Sequence, residues 1–198
     1  MKKKLILSVL ILLTFNVNSQ DKSSAKEDKF LISLHYTGNI RNNNIVSDNY
    51  NGLVGLNAHY KLYQNESISI LGGIGLDYFQ ARLSNSQIDF KNRLMLNPNF
   101  GLEVNASKSF KPFLNLGYSF FSSKYSIKTS NPTLFDPMDP AFQSGTFTKT
   151  DSYNSFSINP GCRLMFSEEF YFQADYKLLP IETNTTAHLI ALGIGLNF

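Results

Sequence analysis

Long apolar runs are what this sequence has least of. Beyond residue 15, no segment reaches the roughly 18 consecutive apolar residues that a transmembrane helix needs. The sequence therefore predicts no membrane-spanning helix. A mean hydropathy of −0.16 does not exclude a membrane protein, because a barrel strand alternates apolar and polar side chains and its average is low.

Cysteine and net positive charge are also scarce. Cys162 is the single cysteine, so an internal disulfide is excluded, and its position in the pattern below indicates a small apolar-face side chain. The net charge of +3 comes from Lys2, Lys3 and Lys4. Without residues 1–19, the chain keeps 15 of its 18 basic residues and has 15 acidic residues, so its net charge is zero. No nucleic-acid surface is therefore predicted.

Residues 1–19 have the pattern of a secretory signal peptide. Three lysines precede a mostly apolar run, and the small residues Val17 and Ser19 come just before Gln20. That run is too short and wrongly flanked for a stable membrane anchor. We expect a signal peptide over residues 1–19, a periplasmic N-terminal tail over 20–29 and one barrel domain over 30–198.

The rest of the chain is rich in segments that alternate apolar and polar side chains, as a strand with one apolar face does. The last of them, HLIALGIGLNF, places Leu192 on the apolar face and Gly195 on the other. The predicted strands cover residues 30–40, 52–63, 67–79, 93–105, 110–121, 155–166, 170–178 and 188–198. This pattern predicts an all-β fold, an eight-stranded antiparallel transmembrane β-barrel. Bulges or weakened pairing are expected at Pro98, Pro112 and Pro160.

Connection lengths favour the outer membrane over a soluble lipocalin-like barrel, whose apolar face would turn inward. Residues 64–66, 106–109 and 167–169 form short connections, and 41–51, 80–92, 122–154 and 179–187 form longer ones. Short periplasmic turns and long external loops are the rule in outer-membrane barrels. Aromatic residues of the apolar face also sort into two predicted belts, as expected at membrane interfaces. The inner belt is Phe30, Phe110, Phe166, Phe170 and Phe198, and the outer belt is Tyr36, Tyr78, Tyr118, Phe120, Phe156 and Tyr176.

This combination resembles the small outer-membrane β-barrel domain family that includes PorT-like proteins. The resemblance covers nearly the whole chain after Gln20 and rests on PFLNLGYSF (112–120), SFSINPGCRLMF (155–166) and the closing strand that ends at Phe198. It implies an outer-membrane location and assembly by the barrel-assembly machinery, which reads a terminal aromatic. PorT-like members are linked to protein secretion, which adds a secretion-related protein as a candidate partner.

Charges on the inner face should pair, because an eight-stranded barrel is only wide enough for side chains. The turn at 167–169 predicts Arg163 opposite Gln173 and diagonal to Asp175. The turn at 106–109 predicts Glu103 opposite Lys111. We expect a salt-bridged plug, with a narrow proton or ion path as the alternative.

No catalytic, cofactor-binding or metal-binding residue is predicted, and no cofactor. His35 and His59 should fill the polar interior, since no histidine spacing suits a metal. His188 should face outward at the external edge. A lipid-modifying hydrolase would need a serine beside an outward histidine, whereas Ser33 points inward with His35.

The longest connection, residues 122–154, is the best candidate for function, because such long loops are usually functional or disordered. It offers a recognition surface in which prolines stiffen apolar anchors. The prolines are Pro132, Pro137 and Pro140, the anchors are Leu134, Phe135, Met138 and Phe142, and the acids are Asp136 and Asp139. Those two acids lack the spacing of a calcium loop.

The sequence thus predicts a non-enzymatic scaffold or interaction protein embedded in the outer membrane. Its expected partners are outer-membrane lipid, the barrel-assembly machinery and an extracellular or secretion-related protein. A narrow channel of the porin kind and a lipid-modifying enzyme are the alternatives.

Deletion of Phe198 should lower the amount of assembled barrel and leave unfolded chain in the periplasm. Phe198 is a terminal aromatic residue and so matches the assembly signal of the family that the chain resembles. Membrane fractionation with a boiled and an unboiled gel measures both forms. Normal outer-membrane levels of the truncated chain would contradict the assignment.

Overall fold

The computed structural model describes residues 29–40, 44–82, 88–128, 142–143, 146–182 and 185–198. The expected signal peptide therefore lies outside the described residues. The elements are β1 (Phe30–Ile40), α1 (Ile45–Asn49), β2 (Tyr50–Gln64), β3 (Ile68–Ala81), β4 (Ile88–Phe90), β5 (Arg93–Val104), β6 (Phe110–Lys128), β7 (Phe142–Gln143), β8 (Thr146–Met165), β9 (Phe170–Glu182) and β10 (Thr185–Asn197).

Eight long strands form a closed antiparallel barrel, as the alternation predicts. Around the barrel the order is β1, β2, β3, β5, β6, β8, β9 and β10. β1 closes it by pairing with β10 from Leu31–Asn197 to Ile40–His188. Both described chain ends lie at the end with the short turns, which we call the periplasmic end. The opposite end, which holds the connections after β1, β3 and β6, is the external end. The long connection predicted over residues 179–187 is wrong, because β9 extends to Glu182 and β10 begins at Thr185.

Side chains alternate between the two faces as predicted. On the outer surface Leu34 is 56% exposed and Ile194 64% exposed, whereas inward neighbours such as Ser33 and Ala191 are buried. β2 changes phase at a bulge between Gly52 and Val54. The bulge leaves both Leu53 and Val54 outside and brings Tyr50 into the interior.

The three prolines weaken pairing without shifting the register. Each belongs to a ladder on one side only: Pro98 pairs with Ile74, Pro112 with Cys162 and Pro160 with Leu114. On the other side the ladders skip Pro98 and Pro160 and resume in the same register. The missing proline N–H explains why only one neighbour is paired.

The connection predicted over residues 122–154 is wrong at both ends, because β6 and β8 continue beyond the barrel to the Lys128–Thr146 pair. Hydroxyl and carboxylate contacts replace apolar alternation there. Ser126 and Thr148 share a hydrogen bond of 3.1 Å, and the Tyr125 hydroxyl donates to Asp151 at 3.2 Å. Because a polar strand pair in water has the composition of a loop, the sequence pattern did not reveal these extensions of β6 and β8. Residues 131–141, including Asp136 and Asp139, lie outside the described part of the chain.

Replacing the outward Leu192 by Arg should destabilise the membrane-inserted barrel by about 2–4 kcal/mol, the usual cost of a cation near the bilayer midplane. The matched change at the inward Gly195 should act through crowding, because any side chain there overlaps the Tyr171 ring. Folding into lipid vesicles followed by urea titration measures both. Unchanged stability of the Leu192→Arg variant would refute the assignment of the outer face.

Candidate functional site

The interior is the part of the molecule where the sequence places chemistry-bearing side chains, and its centre is an ion-pair cluster on Asp77. Asp77 accepts hydrogen bonds from the Thr37 hydroxyl at 2.7 Å and from Lys177 Nζ at 2.6 Å. His35 Nε2 lies 2.8 Å from the same carboxylate. All four side chains are buried, so the carboxylate and the ammonium neutralise each other away from water.

This cluster spans the lumen. Asp77 lies on β3 and Lys177 on β9, which are four strands apart in both directions around the barrel. Gly55 makes room for it, since a Cβ there would overlap both His35 and Asp77. The direct bond between opposite walls obstructs the lumen at mid-height.

A second cluster, closer to the periplasmic end, is built on Arg163. This fully buried guanidinium forms an ion pair with Glu103 on β5 and donates from Nε to Gln173 at 3.0 Å. Gln173 in turn donates to Asp175 at 2.8 Å. The Phe113 ring covers the guanidinium at 4.4 Å. Charge pairing and aromatic stacking together compensate the loss of water around Arg163.

Two predicted charge partners are wrong. Arg163 lies opposite Gln173 as expected, but its ion pair is with Glu103, and Asp175 is reached only through Gln173. Glu103 lies opposite Phe113 and not Lys111, because the turn after β5 is longer than predicted and moves the register by two residues. Arg163 can reach past β6 to β5 because the lumen is narrow.

An apolar layer fills the external half of the interior, which the sequence analysis missed. Its buried members are Val46, Tyr50, Phe79, Met95, Phe121, Leu179, Ala187 and Leu189. The available signal was the run of apolar residues at inward positions near the external strand ends, such as Phe79, Phe121 and Leu189. The layer separates the charge clusters from the external water.

The short helix α1 caps this layer. The Asn44 side chain accepts from the Val46 and Ser47 backbone N–H groups at 3.0 and 2.9 Å, which fixes the first turn. Val46 is thereby held in the barrel mouth. The Tyr50 hydroxyl lies 2.8 Å from Ser123 Oγ on the far side. The helix and Tyr50 together act as an external plug.

The histidines lie on the faces predicted for them. His35 belongs to the Asp77 cluster, His59 lies 3.0 Å from Asn99 Oδ1, and His188 faces outward and is hydrogen-bonded to the Tyr176 hydroxyl. Ser33 is buried inside the barrel. Within the described ranges, no group of three metal-ligating side chains comes together.

At the periplasmic end the lumen opens into a polar concavity of about 840 Å³. Its lining includes Lys61, Lys108, Lys111, Glu66 and Glu168. Lys61 is buried and donates to Asn197 Oδ1 at 2.9 Å. The charges of both signs make this mouth a polar vestibule on the periplasmic side of the Arg163 cluster.

A small sheet stands on the external end. β6 and β8 continue for seven residue pairs beyond Phe121, about 23 Å at the usual rise of a strand. β4 pairs with β6, and β7 with β8, giving the order β4-β6-β8-β7. Lys149 lies 3.1 Å from Asp151, and this hydrogen bond raises the pKa of Lys149. We call these four strands the external sheet.

No helix in the described residues is long and apolar enough to cross a membrane.

A closed eight-stranded barrel with an apolar outer surface and charges paired inside is the architecture of a small outer-membrane protein. The chain belongs to the outer membrane protein beta-barrel domain family, whose model matches residues 7–198. It is therefore a protein of the outer membrane. No curated protein matches it.

Solved structures share this fold at low sequence identity. The chain is similar to Ail, the attachment invasion locus protein of Yersinia pestis, at 15% identity and a TM-score of 0.58, covering 86% of this chain and 97% of that one. It is also similar to Neisserial surface protein A, at 12% identity and a TM-score of 0.51, covering 85% and 94%. At sequence identities this low, the similarity shows a shared fold and nothing more.

Removing one partner of the Arg163–Glu103 pair should destabilise the barrel by about 3–5 kcal/mol, because the other charge is left buried and unpaired. The Glu103→Gln and Arg163→Gln double variant should recover part of that loss. Asp175→Asn is the matched control and should cost less, since among the described residues the Asp175 carboxylate is hydrogen-bonded only to Gln173. Urea unfolding in lipid vesicles measures all four variants. A greater loss for Asp175→Asn than for Glu103→Gln would overturn the pairing described above.

Proposed function

We propose that this protein is a non-enzymatic scaffold of the outer membrane that contacts a partner through its external end. The observation that carries the proposal is the external sheet, which continues the β6–β8 hairpin past the barrel. A hairpin that served only to close the barrel could turn just after Phe121, where β5 stops pairing with β6. The extra strand pairs therefore build a surface outside the membrane.

The composition of this surface suits recognition of a protein. Thr150 and Ser152 are exposed on its outward face, and Lys149 and Asp151 present charges of both signs. Mixed polar surfaces of this kind support specific, reversible contacts. Residues 129–141 lie in the sequence between β6 and β7, two strands of this sheet, and we infer from their prolines and apolar residues that they belong to the same contact region.

The rival functions find less support in the arrangement of the interior. A narrow channel would require solute to pass the Asp77–Lys177 pair, the apolar layer and α1 in turn. A lipid-modifying enzyme would require a nucleophile at His188, whose hydrogen-bond partner is the Tyr176 hydroxyl. The filled interior does not favour the passage of a solute, and the surroundings of His188 do not favour lipid hydrolysis.

Further parts of the proposal come from the sequence. We infer that residues 1–19 direct export and are removed, that residues 20–29 form a periplasmic tail, and that the barrel-assembly machinery inserts the chain. The resemblance to PorT-like proteins adds a secretion component as a candidate for the external partner.

A truncation of the external sheet tests the proposal. Residues 124–150 are replaced by an Asn-Gly turn, which suits a tight hairpin between paired residues, here Ser123 and Asp151. A photo-crosslinking residue at Ser152 should give a discrete protein adduct in cells with the full chain and none with the truncated chain. The same residue at the exposed periplasmic Ser167 is the control and should be insensitive to the truncation.

The barrel of the truncated chain should still migrate as a folded species in unboiled gels. Adducts at Ser152 that persist after truncation would refute the proposed surface. Steady conductance of the unmodified protein in planar bilayers would instead favour the channel.

A further inference from the structure

Gly38 interrupts the apolar outer surface of β1 without a structural need for glycine. Its outward neighbours on β1 are the exposed Leu34, Tyr36 and Ile40. The atoms nearest to a Cβ at Gly38 would be those of the Tyr36 side chain, at 3.3 Å, and the Ile190 carbonyl oxygen, at 3.8 Å, and the φ of Gly38 lies outside the left-handed region. Inward glycines such as Gly55 differ, because a Cβ there would overlap buried groups. The backbone therefore does not explain Gly38.

The missing side chain forms a groove on the membrane-facing surface. This upper groove has a volume of about 240 Å³ and is walled by Tyr36, Ile40, Ile190 and Leu192. A lower groove of about 370 Å³ lies on the other side of Tyr36 and includes Leu34 and Phe172. Both grooves share Tyr36 and Leu192, and their linings are mostly apolar.

The two grooves together match the depth of one membrane leaflet. From Ile40 to Leu34 the strand rises about 20 Å. With the usual strand tilt this corresponds to about 15 Å of depth, which is half of the roughly 30 Å hydrocarbon core. An acyl chain of the external leaflet can therefore lie along β1 from the interface to the midplane.

A polar pair, His188 and Tyr176, lies beside the external end of the groove. His188 lies opposite Ile40 in the β1–β10 ladder and faces outward, with its Nδ1 hydrogen-bonded to the Tyr176 hydroxyl. When Tyr176 donates, the histidine is the tautomer with hydrogen on Nε2, which is then a donor. Nε2 has no hydrogen-bond partner among the described residues. Polar groups at the interface with an apolar track below suit an amphipathic lipid.

We propose that this surface binds one phosphate-bearing lipid of the external leaflet, with an acyl chain along the Gly38 groove and a phosphate oxygen on His188 Nε2. Binding would come from van der Waals contact with the groove and a hydrogen bond at the interface, since apolar burial alone gives no preference inside a membrane. The site is separate from the external sheet and does not depend on the proposed function.

Native mass spectrometry of the full-length barrel in detergent tests the site, with palmitoyl-oleoyl phosphatidylglycerol as the probe. The unmodified protein should retain a single phosphatidylglycerol. Gly38→Ile fills the groove and should lower retention about tenfold. Gly72→Ile is the matched control, because Gly72 is another outward-facing glycine, on β3, and the three atoms nearest to a Cβ there all belong to the Leu62 side chain. Gly38→Ala provides a smaller change should the isoleucine variant not assemble, and should give an intermediate loss.

The His188 contact is tested with the same lipid lacking its head group. The unmodified protein should prefer phosphatidylglycerol to the matching diacylglycerol by about threefold to tenfold, as expected for one hydrogen bond within a membrane. His188→Phe keeps an aromatic ring at the interface and should abolish this preference. If the unmodified and Gly38→Ile proteins retained phosphatidylglycerol equally, the acyl-chain site in the groove would be overturned. If His188→Phe kept the preference of the unmodified protein for phosphatidylglycerol over diacylglycerol, the phosphate contact would be overturned. A folded band in unboiled gels is required of every variant.

Discussion

The width of the lumen is the constraint on which the rest of the structure depends. Eight strands enclose a space that side chains alone can fill, so each inward residue must fit against residues from several other strands. Charges at such positions lose their water and need partners. The Asp77–Lys177 pair across the diameter and the Arg163–Glu103 pair past one strand both follow from this confinement. The narrow lumen also explains the inward glycines, because at some heights along the barrel axis a tyrosine or a histidine already fills the space.

Sequence alternation predicts the wall of this barrel better than its contents. Each strand repeats its pattern over about ten residues, so the two faces are assigned by many side chains at once. The partner of Arg163 depends instead on which side chains meet across the lumen, and strand alternation carries no information about contacts between non-adjacent strands. The turn after β5 adds an error of two residues, enough to change the neighbour of Glu103.

The irregular features could not be predicted from the sequence, for other physical reasons. The bulge at Leu53 changes the phase of β2 in the middle of an apolar stretch, where either phase looks acceptable. The external sheet lies outside the apolar part of the molecule, so its strands have no apolar face to reveal them. The Asn44 cap and α1 form a single helical turn, too short for periodicity to detect. Among the histidines, the outward His188 was placed correctly, whereas its tyrosine partner could be found only from the β9–β10 register.

Barrel closure has a kinetic consequence. Phe30 and Phe198 stack at 5.9 Å and exchange backbone hydrogen bonds of 2.7 and 2.9 Å, yet they lie at opposite ends of the barrel sequence. Contacts between residues so distant along the chain carry a large loop-closure entropy and form late. Until they form, β1 and β10 are free edges with unpaired backbone groups, which the membrane interior does not tolerate. The rate-limiting event in folding is therefore expected to be the meeting of these two strands, and a chaperone or membrane factor that holds them together would accelerate assembly without changing the stability of the finished barrel.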